Sequence, residues 1–439
     1  MISAPDQEVH SRMDITRPAR AAMITASALG LALLGASVAV PDADASPSTS
    51  VPSSTAPAPA RPEGPADYTF LSSPDFMNCD LADVSKLRTW HRGLPNSWNS
   101  AYAKTVDTIL DSFEAEQPDD VLVAGDLVEG HWGRDDDNTG IFGPTRKPKQ
   151  RTAAIKRAAD FYFSRWRQRF DARDLPVYVA VGDHDIGDNP WRGGEDPRWN
   201  RFKRAHVGAF KHALYRKVIA PSHVPNRPHG SARDTAYATY LDPEVLLVTV
   251  DVFRVGGGNV VPQLDRQQLR WLDRTLGQAE RRGTDWLVVQ GHVPVLKPVR
   301  STGSSLLYYR GGERSPFWKV MAKHHVDLYL NGEVHDISVR REDGITQISH
   351  GGTIQMANSD GRGSTNYLLG EVFGDTMWLR DELFIPETID FNGELWQVGA
   401  SHRPVIRKVV RDTPKNVGHL VLTSDNQLLA SDGLLTPLR

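Results

Sequence analysis

LYLNGEVHDIS, Leu328 to Ser338, starts as an apolar run and stops at a glycine, after which a carboxylate and an imidazole stand two positions apart. Taken as the end of a buried strand with the backbone still extended, it points Glu333 and His335 to the same side. Four other apolar runs end in the same manner. TFLSSPD (Thr69 to Asp75) and VLVAGD (Val121 to Asp126) close on an acid, PVYVAVGDHD (Pro176 to Asp185) on mixed acids and imidazole, and DWLVVQGH (Asp285 to His292) on an imidazole. Amphipathic stretches lie between them. AYAKTVDTILDSFEAEQ (Ala101 to Gln117) places Val106, Ile109, Leu110 and Phe113 at helical spacing, and RTAAIKRAADFYFSRWRQRF (Arg151 to Phe170) reads as a basic amphipathic helix. EVLLVTVDVF (Glu244 to Phe253) reads as one more strand and VPQLDRQQLRWLDRTLGQAERR (Val261 to Arg282) as a helix. From about Thr346 onward short strands and turn signals dominate, such as FNGE (Phe391 to Glu394) and SDNQ (Ser424 to Gln427). Alternating strands and helices predict an α/β domain with a largely parallel sheet. Ligand sites in such sheets sit at the carboxyl ends of the strands, where all five polar clusters fall.

The composition is that of a globular chain: 439 residues, 39% hydrophobic, 24% charged, with a formal charge of -3. A balanced charge argues against a general grip on nucleic acid, which needs a strongly basic face. The chain has 15 histidines but one cysteine, Cys79, so a thiolate zinc site and a disulfide framework are excluded. Cys79 itself reads as a small buried residue. At the N-terminus, Arg17 and Arg20 precede the uncharged stretch Ala21 to Val40, and Ala43-Asp44-Ala45 offers a small-x-small cleavage site. This layout predicts a secretory signal peptide over residues 1–45 rather than a retained anchor, with Met13 as a possible start. Residues 46–67, rich in Pro, Ser and Ala, read as an extended linker. Residues 68–400 form the expected catalytic domain, and 401–439 a β-rich tail packed on it. The expected mature protein is exported, has no membrane span and no disulfides, and takes its stability from its core.

The strand ends gather Asp75, Asp126, Asp183 with His184, His292, and Glu333 with His335. Oxygen and imidazole donors without thiolate suit Mn, Fe, Zn, Mg or Ca. Two divalent ions about 3.5–4 Å apart need a shared carboxylate and several terminal ligands, and this inventory supplies both. Taken singly, each residue has a plainer reading, as a helix cap, a turn or a core histidine. All of them at strand ends of one sheet are harder to attribute to turns.

The ordered motifs resemble those of the calcineurin-like metallophosphoesterases. That family carries Asp-x-His, Gly-Asp-x-x-Asp, Gly-Asn-His-Asp/Glu, Gly-His and Gly-His-x-His, each after a strand. Here stand SPDFMN (Ser73 to Asn78), GDLVEG (Gly125 to Gly130), GDHD (Gly182 to Asp185), GH (Gly291 and His292) and GEVH (Gly332 to His335). The segment QLDRQQLRWLDRTL (Gln263 to Leu276) adds to the likeness, which spans about Tyr68 to Gly352. The resemblance implies two stacked, mostly parallel or mixed β-sheets flanked by helices. It implies that Asp126 bridges two metals, that Asp75 and His335 bind the first, that Asp183, His292 and Glu333 bind the second, and that His184 is the unmetallated acid beside the substrate. The implied reaction is in-line attack of a metal-bound hydroxide on a phosphomonoester or diester, such as a nucleotide or a lipid headgroup.

Three departures from the pattern matter. Met77 stands where the family has a histidine, with Asn78 or Glu129 as candidate substitutes. Asp183 replaces an asparagine, and Glu333 replaces the first histidine of the last motif. Both swaps add negative charge around the second metal, which favours harder ions such as Mn, Mg or Ca over Zn. They also predict a weaker Lewis acid and a lower or more alkaline activity. Two other readings stay open: a catalytically weak or inactive member that binds a phosphorylated cell-surface ligand, which Met77 favours, and a calcium-stabilised, carbohydrate-facing surface protein. Other features weigh less. DDDN (Asp135 to Asn138) could bind calcium but reads more readily as a solvated loop. His131, Trp132, Asp188 and Trp191 are candidate pocket residues. Arg151, Lys156, Arg157, Arg165, Arg167 and Arg169 form a charge run that could attract an anion but is more often a solvated face, and His350 reads as structural.

Overall fold

The computed structural model describes residues 60–75, 82–92, 94, 96, 98, 100–128, 140–187, 197–256, 258–300, 307–352, 365–384 and 413–439. All of them fall in one compact unit, Pro57–Arg439. In chain order the elements are β1 (Tyr68–Ser72), α1 (Ser100–Ala115), β2 (Asp120–Val123), α2 (Pro148–Asp171), β3 (Val177–Val179), α3 (Pro197–Leu214), β4 (Tyr237–Asp242), β5 (Val245–Thr249), β6 (Phe253–Gly256), β7 (Asn259–Pro262), α4 (Arg266–Arg282), β8 (Trp286–Gln290), α5 (Pro316–Lys323), β9 (Leu328–Asn331), β10 (Ser338–Glu342), β11 (Ile345–Ser349), β12 (Asn366–Phe373), β13 (Thr376–Leu383), β14 (Lys415–Thr423) and β15 (Leu428–Ser431).

Two large sheets result. The seven-stranded one has the order β15-β14-β13-β12-β1-β2-β3, and the six-stranded one β10-β11-β9-β8-β5-β4. Each has a parallel part, β1-β2-β3 in the first and β11-β9-β8-β5 in the second. Antiparallel strands complete both, β12 to β15 in the first and β4 and β10 in the second. The apolar runs are unbroken because both strand faces are covered. Alternate residues of a strand point to opposite faces, and the two cores divide them accordingly. Phe70, Leu122, Leu247, Val288 and Leu328 join one core, with side chains from both sheets. Their neighbours Leu71, Val121, Val123, Leu246, Val289 and Tyr329 join the other, with the helix residues Val106, Phe113, Phe163, Leu272 and Leu276. The molecule is thus a sandwich of two sheets with helices outside.

Two elements differ from their sequence reading. EVLLVTVDVF is β5 followed by the start of β6, not one strand. At Asp251 the chain turns out of the sheet, because that carboxylate accepts the Phe253 N–H at 3.0 Å and pairs with the buried Lys211 ammonium. β6 then pairs only with β7. For the same reason the helix expected from Val261 starts later. Val261 and Pro262 belong to β7, and Asp265 caps α4 by accepting the N–H groups of Gln267 and Gln268, each at 2.8 Å. Gly283, at φ 78°, ends the helix in the left-handed conformation.

Candidate metal centre

The loops leaving β1, β2, β3, β8 and β9 meet at the carboxyl ends of these strands, and the predicted donors meet there. Two groups of buried side chains have ligand atoms within 4.8 Å of one another: Asp75, Asp126 and His335, and Asp126, Asp183 and His292. Asp126 belongs to both. Glu333 joins the second group, with Oε2 3.5 Å from His292 Nε2. That nitrogen also lies 3.3 Å from Asp126 Oδ2 and 3.1 Å from Asp183 Oδ1. In the first group His335 Nε2 is 3.3 Å from Asp75 Oδ1. His184 stands beside the centre, with Nε2 3.9 Å from Asp126 Oδ2.

The backbone bends unusually to achieve this. Asp75, Asp126, Glu333 and His335 have φ of 65°, 55°, 69° and 53°. A non-glycine residue in this region costs on the order of 1 kcal/mol and clusters at functional sites. The expectation that Glu333 and His335 share one side of an extended strand is therefore corrected. β9 ends at Asn331, both residues are left-handed, and they serve different donor groups. Close approach also needs glycine. A Cβ at Gly332 would lie 2.2 Å from Asp75 Oδ2, and one at Gly182 would lie 2.0 Å from Asp126 Oδ1.

The donor atoms fit cations better than they fit each other. His292 Nδ1 lies 2.8 Å from the Ala124 carbonyl, so it donates there and leaves Nε2 as the lone-pair nitrogen. Leu307 N–H donates to Glu333 Oε1 at 3.0 Å. Among the described residues, Asp75 Oδ2, Glu333 Oε2, His292 Nε2 and His335 Nε2 are buried with no hydrogen-bond partner. The separations of 3.1–3.5 Å between His292 Nε2 and the carboxylate oxygens of Asp126, Asp183 and Glu333 are close to the edge of a tetrahedron with metal–ligand bonds of about 2.1 Å, roughly 3.4 Å. The electrostatics agree. Burial, with Asp183 close by, pushes Glu333 up to about 7. Burial lowers His292, but the surrounding carboxylates, Asp126 first, outweigh it and raise it well above an ordinary imidazole. Asp126 is raised by burial, although His292 opposes the shift. This is a pocket of negative potential that positive charge would relieve.

One functional residue was quoted in the sequence without a role. Asp185, the last residue of GDHD, accepts the backbone N–H groups of Asp126 (3.1 Å), Leu127 (3.0 Å), Val128 (3.3 Å) and Gly182 (2.8 Å). It clasps the turn that carries the shared carboxylate, and burial pushes it up to about 7. Its signal was the fourth position of that motif. His350 is buried, with Nε2 2.8 Å from Ser72 Oγ, and burial pushes it down to about 4, as suits a structural imidazole. The basic face of α2 is engaged locally: Arg167 pairs with Asp171, Arg169 covers Trp98, and Arg157 donates to the Phe142 carbonyl. Met77, Asn78, Cys79, Glu129, His131, Trp132, residues 135–138, Asp188 and Trp191 lie outside the described residues.

The fold is a two-sheet α/β sandwich, and the two buried carboxylate–imidazole groups at its strand ends, joined through Asp126, fit a dinuclear metal site. The chain belongs to the calcineurin-like phosphoesterase family, whose profile matches residues 90–336. The match takes in Asp126, Asp183, His184, His292, Glu333 and His335 and begins after Asp75. No curated protein matches the sequence. Among solved structures, the chain is similar to purple acid phosphatase PPD1 from seeds of yellow lupin, Lupinus luteus, at 12% identity and a TM-score of 0.43, covering 74% of this chain and 53% of that one. It is also similar to GAP50, the anchor in the inner membrane complex of Plasmodium, at 12% identity and a TM-score of 0.38, covering 78% and 90%. Among the described residues no helix is long and apolar enough to cross a membrane.

Proposed function

We propose that this chain is an exported, metal-dependent phosphoesterase that hydrolyses phosphate monoesters or diesters of small molecules or lipids. The observation that carries the reading is the pair of donor groups joined through Asp126. Asp75, Asp126 and His335 would hold one divalent cation, and Asp126, Asp183, His292 and Glu333 the other. Bound, the cations supply Lewis acidity toward the phosphoryl oxygens and an activated water. The chain's own residues do the rest. Asp185 fixes the turn of Asp126, and the Ala124 carbonyl fixes the His292 tautomer. His184 stands within reach of an ester placed at the centre, where its imidazole passes a proton to the departing oxygen or donates to the phosphoryl group. Three carboxylates around the second group favour Mn, Mg or Ca over Zn. Export rests on Arg17, Arg20, the apolar stretch after them and Ala43-Asp44-Ala45.

The test is elemental analysis of the purified protein beside hydrolysis of an aryl phosphate with Mn, Mg, Ca and Zn in turn, and His184→Ala as control. Bound divalent metal, turnover and its loss in the variant are the expected results. A protein that takes up no divalent ion overturns the reading. Met77 favours a second reading, a phosphate-ligand binder without turnover. It predicts metal and phosphate bound with no hydrolysis by either form.

A further inference from the structure

Charge is spread unevenly over this chain. Residues 126–217 hold 19 Lys and Arg against 13 Asp and Glu, a balance of +6 within a chain of -3, which leaves -9 for the rest. The excess is concentrated further. Residues 140–159 contain six cations and no acid, and α3, which packs on α2, contains no acid either. Asp160, the first acid after that run, already pairs with Arg216. Arg146, Lys147, Lys149, Lys156, Arg157 and Arg201 are exposed, and none of them pairs with an acid among the described residues. Arg157 gives one N–H to the Phe142 carbonyl, which leaves its charge unmatched. These cations stand on the side of the metal centre. α2 ends near the start of β3, at the amino rim, and its 24 residues span roughly 36 Å. The run from Asp120 to Asp126 spans about 20 Å, so the beginning of α2 reaches past the carboxyl rim where Asp126 stands. Arg151 lies over the Phe202 ring, 6.0 Å from its centroid, and joins the beginnings of α2 and α3. Gly187, three residues after His184, lies so close to α3 that a Cβ there would be 3.5 Å from Lys203 Cβ.

A solvated helix surface ordinarily interleaves both signs. Here like charges repel with no acid between them, and a partner of opposite charge relieves that repulsion. The large exposed apolar side chains among the described residues are Tyr240, Val255 and Leu429, none of them on this face, so contact is made by charge without an apolar anchor. The six cations lie on the outer surface of two neighbouring helices and the turn before one of them. A flat sheet of anions can meet all of these at once, whereas a single anionic chain is held by a groove that tracks its backbone. We propose that this face docks the protein on a lipid bilayer rich in anionic phospholipid, with the metal centre turned toward the headgroups. Docking needs no turnover. Its use, bringing lipid phosphoesters to the centre, rests on the phosphoesterase reading.

The test is co-sedimentation of the purified protein with phosphatidylcholine vesicles, with and without phosphatidylglycerol, at rising salt. The expected result is binding to the anionic vesicles alone, lost as salt screens the contact. Lys149→Gln and Lys156→Gln should each lower the partition coefficient about fivefold, the worth of one cation at such a surface, and leave aryl phosphate hydrolysis unchanged. Both side chains point into solvent from a helix, so the variants should fold. Arg274→Gln, an exposed cation of α4 beside the other sheet, should leave partitioning unchanged. No binding to anionic vesicles overturns the proposal, and so does binding that the two lysine variants leave intact or that Arg274→Gln weakens as much. A protein that ignores the vesicles and binds a single-stranded oligonucleotide or heparin would assign the face to a soluble polyanion, which also overturns it. A protein that binds the vesicles as expected yet hydrolyses no ester keeps this surface and loses the phosphoesterase reading.

Discussion

The same strands carry buried acids at both ends, and the two ends treat them differently. β2 begins with Asp120 and leads to Asp126; β9 is preceded by Asp327 and leads to Glu333. At the amino ends each acid has neutral donors. Asp120 accepts the Tyr68 hydroxyl at 2.9 Å, and Asp327 accepts the Leu287 N–H at 2.7 Å. Burial pushes Asp120 up to about 7 and raises Asp327 well above the usual carboxylate range. An isolated buried acid of this kind can meet the cost of desolvation by keeping its proton. At the carboxyl ends the acids are crowded against His292 and His335, whose Nε2 atoms have no hydrogen-bond partner among the described residues, and one proton per acid does not satisfy that geometry. Burial alone therefore does not mark a metal site; convergence of carboxylate oxygens on imidazole lone pairs does.

The largest effect expected from this contrast is at Asp126. Asp126→Asn should abolish binding of both cations and lower aryl phosphate hydrolysis by more than about a hundredfold, since even outer partners of metal ligands are worth roughly 10–100-fold. Asp120→Asn, a buried acid on the same strand, should leave metal content unchanged. Elemental analysis of the two variants breaks the comparison if both lose metal or neither does. Next in size is Asp185→Ala, which removes the clasp on the Asp126 turn without touching a donor atom. A drop in metal affinity of about 10–100-fold, read by competition with a chelator, is expected there. Unchanged affinity would mean that the left-handed turn at Asp126 holds itself. Glu333→His should have a smaller effect, as a change of preference: the ratio of Zn to Mn bound from an equimolar mixture should rise as one carboxylate gives way to imidazole. A constant ratio would remove Glu333 from the donor set.

Much of this centre was readable in the chain, because an apolar run that ends on Asp or His says both where a strand stops and what stands at its rim. Asp75, Asp126, Asp183, His292, Glu333 and His335 are brought together from such ends. What could not be read depends on backbone twist and on distant partners. The left-handed turn at Glu333 and His335 looks, in sequence, like two more residues of a strand. Asp185 accepting four N–H groups is indistinguishable from a ligand until its partners are placed. The mixed character of the sheets has the same origin. Parallel strands carry the motifs, while β12 to β15 pair through turns that reveal direction only once the register is set.

The smallest effect belongs to the other rim and tests whether its acid is as neutral as the contrast requires. In the folded chain Asp120 titrates at about 7, whereas an unfolded aspartate titrates near about 3.9. Below the unfolded value both states carry the proton and the contribution to stability is complete. As pH rises from about 4 toward 7 the unfolded chain releases its proton first, so folding binds a proton and this contribution declines; above about 7 it is flat. An asparagine cannot titrate, and its side-chain oxygen can still accept the Tyr68 hydroxyl. The thermal midpoint of Asp120→Asn relative to the wild type should therefore improve steadily between pH 4 and pH 7 and then level. A difference that stays constant across this range would mean that Asp120 is already ionised at low pH, as an ordinary carboxylate is.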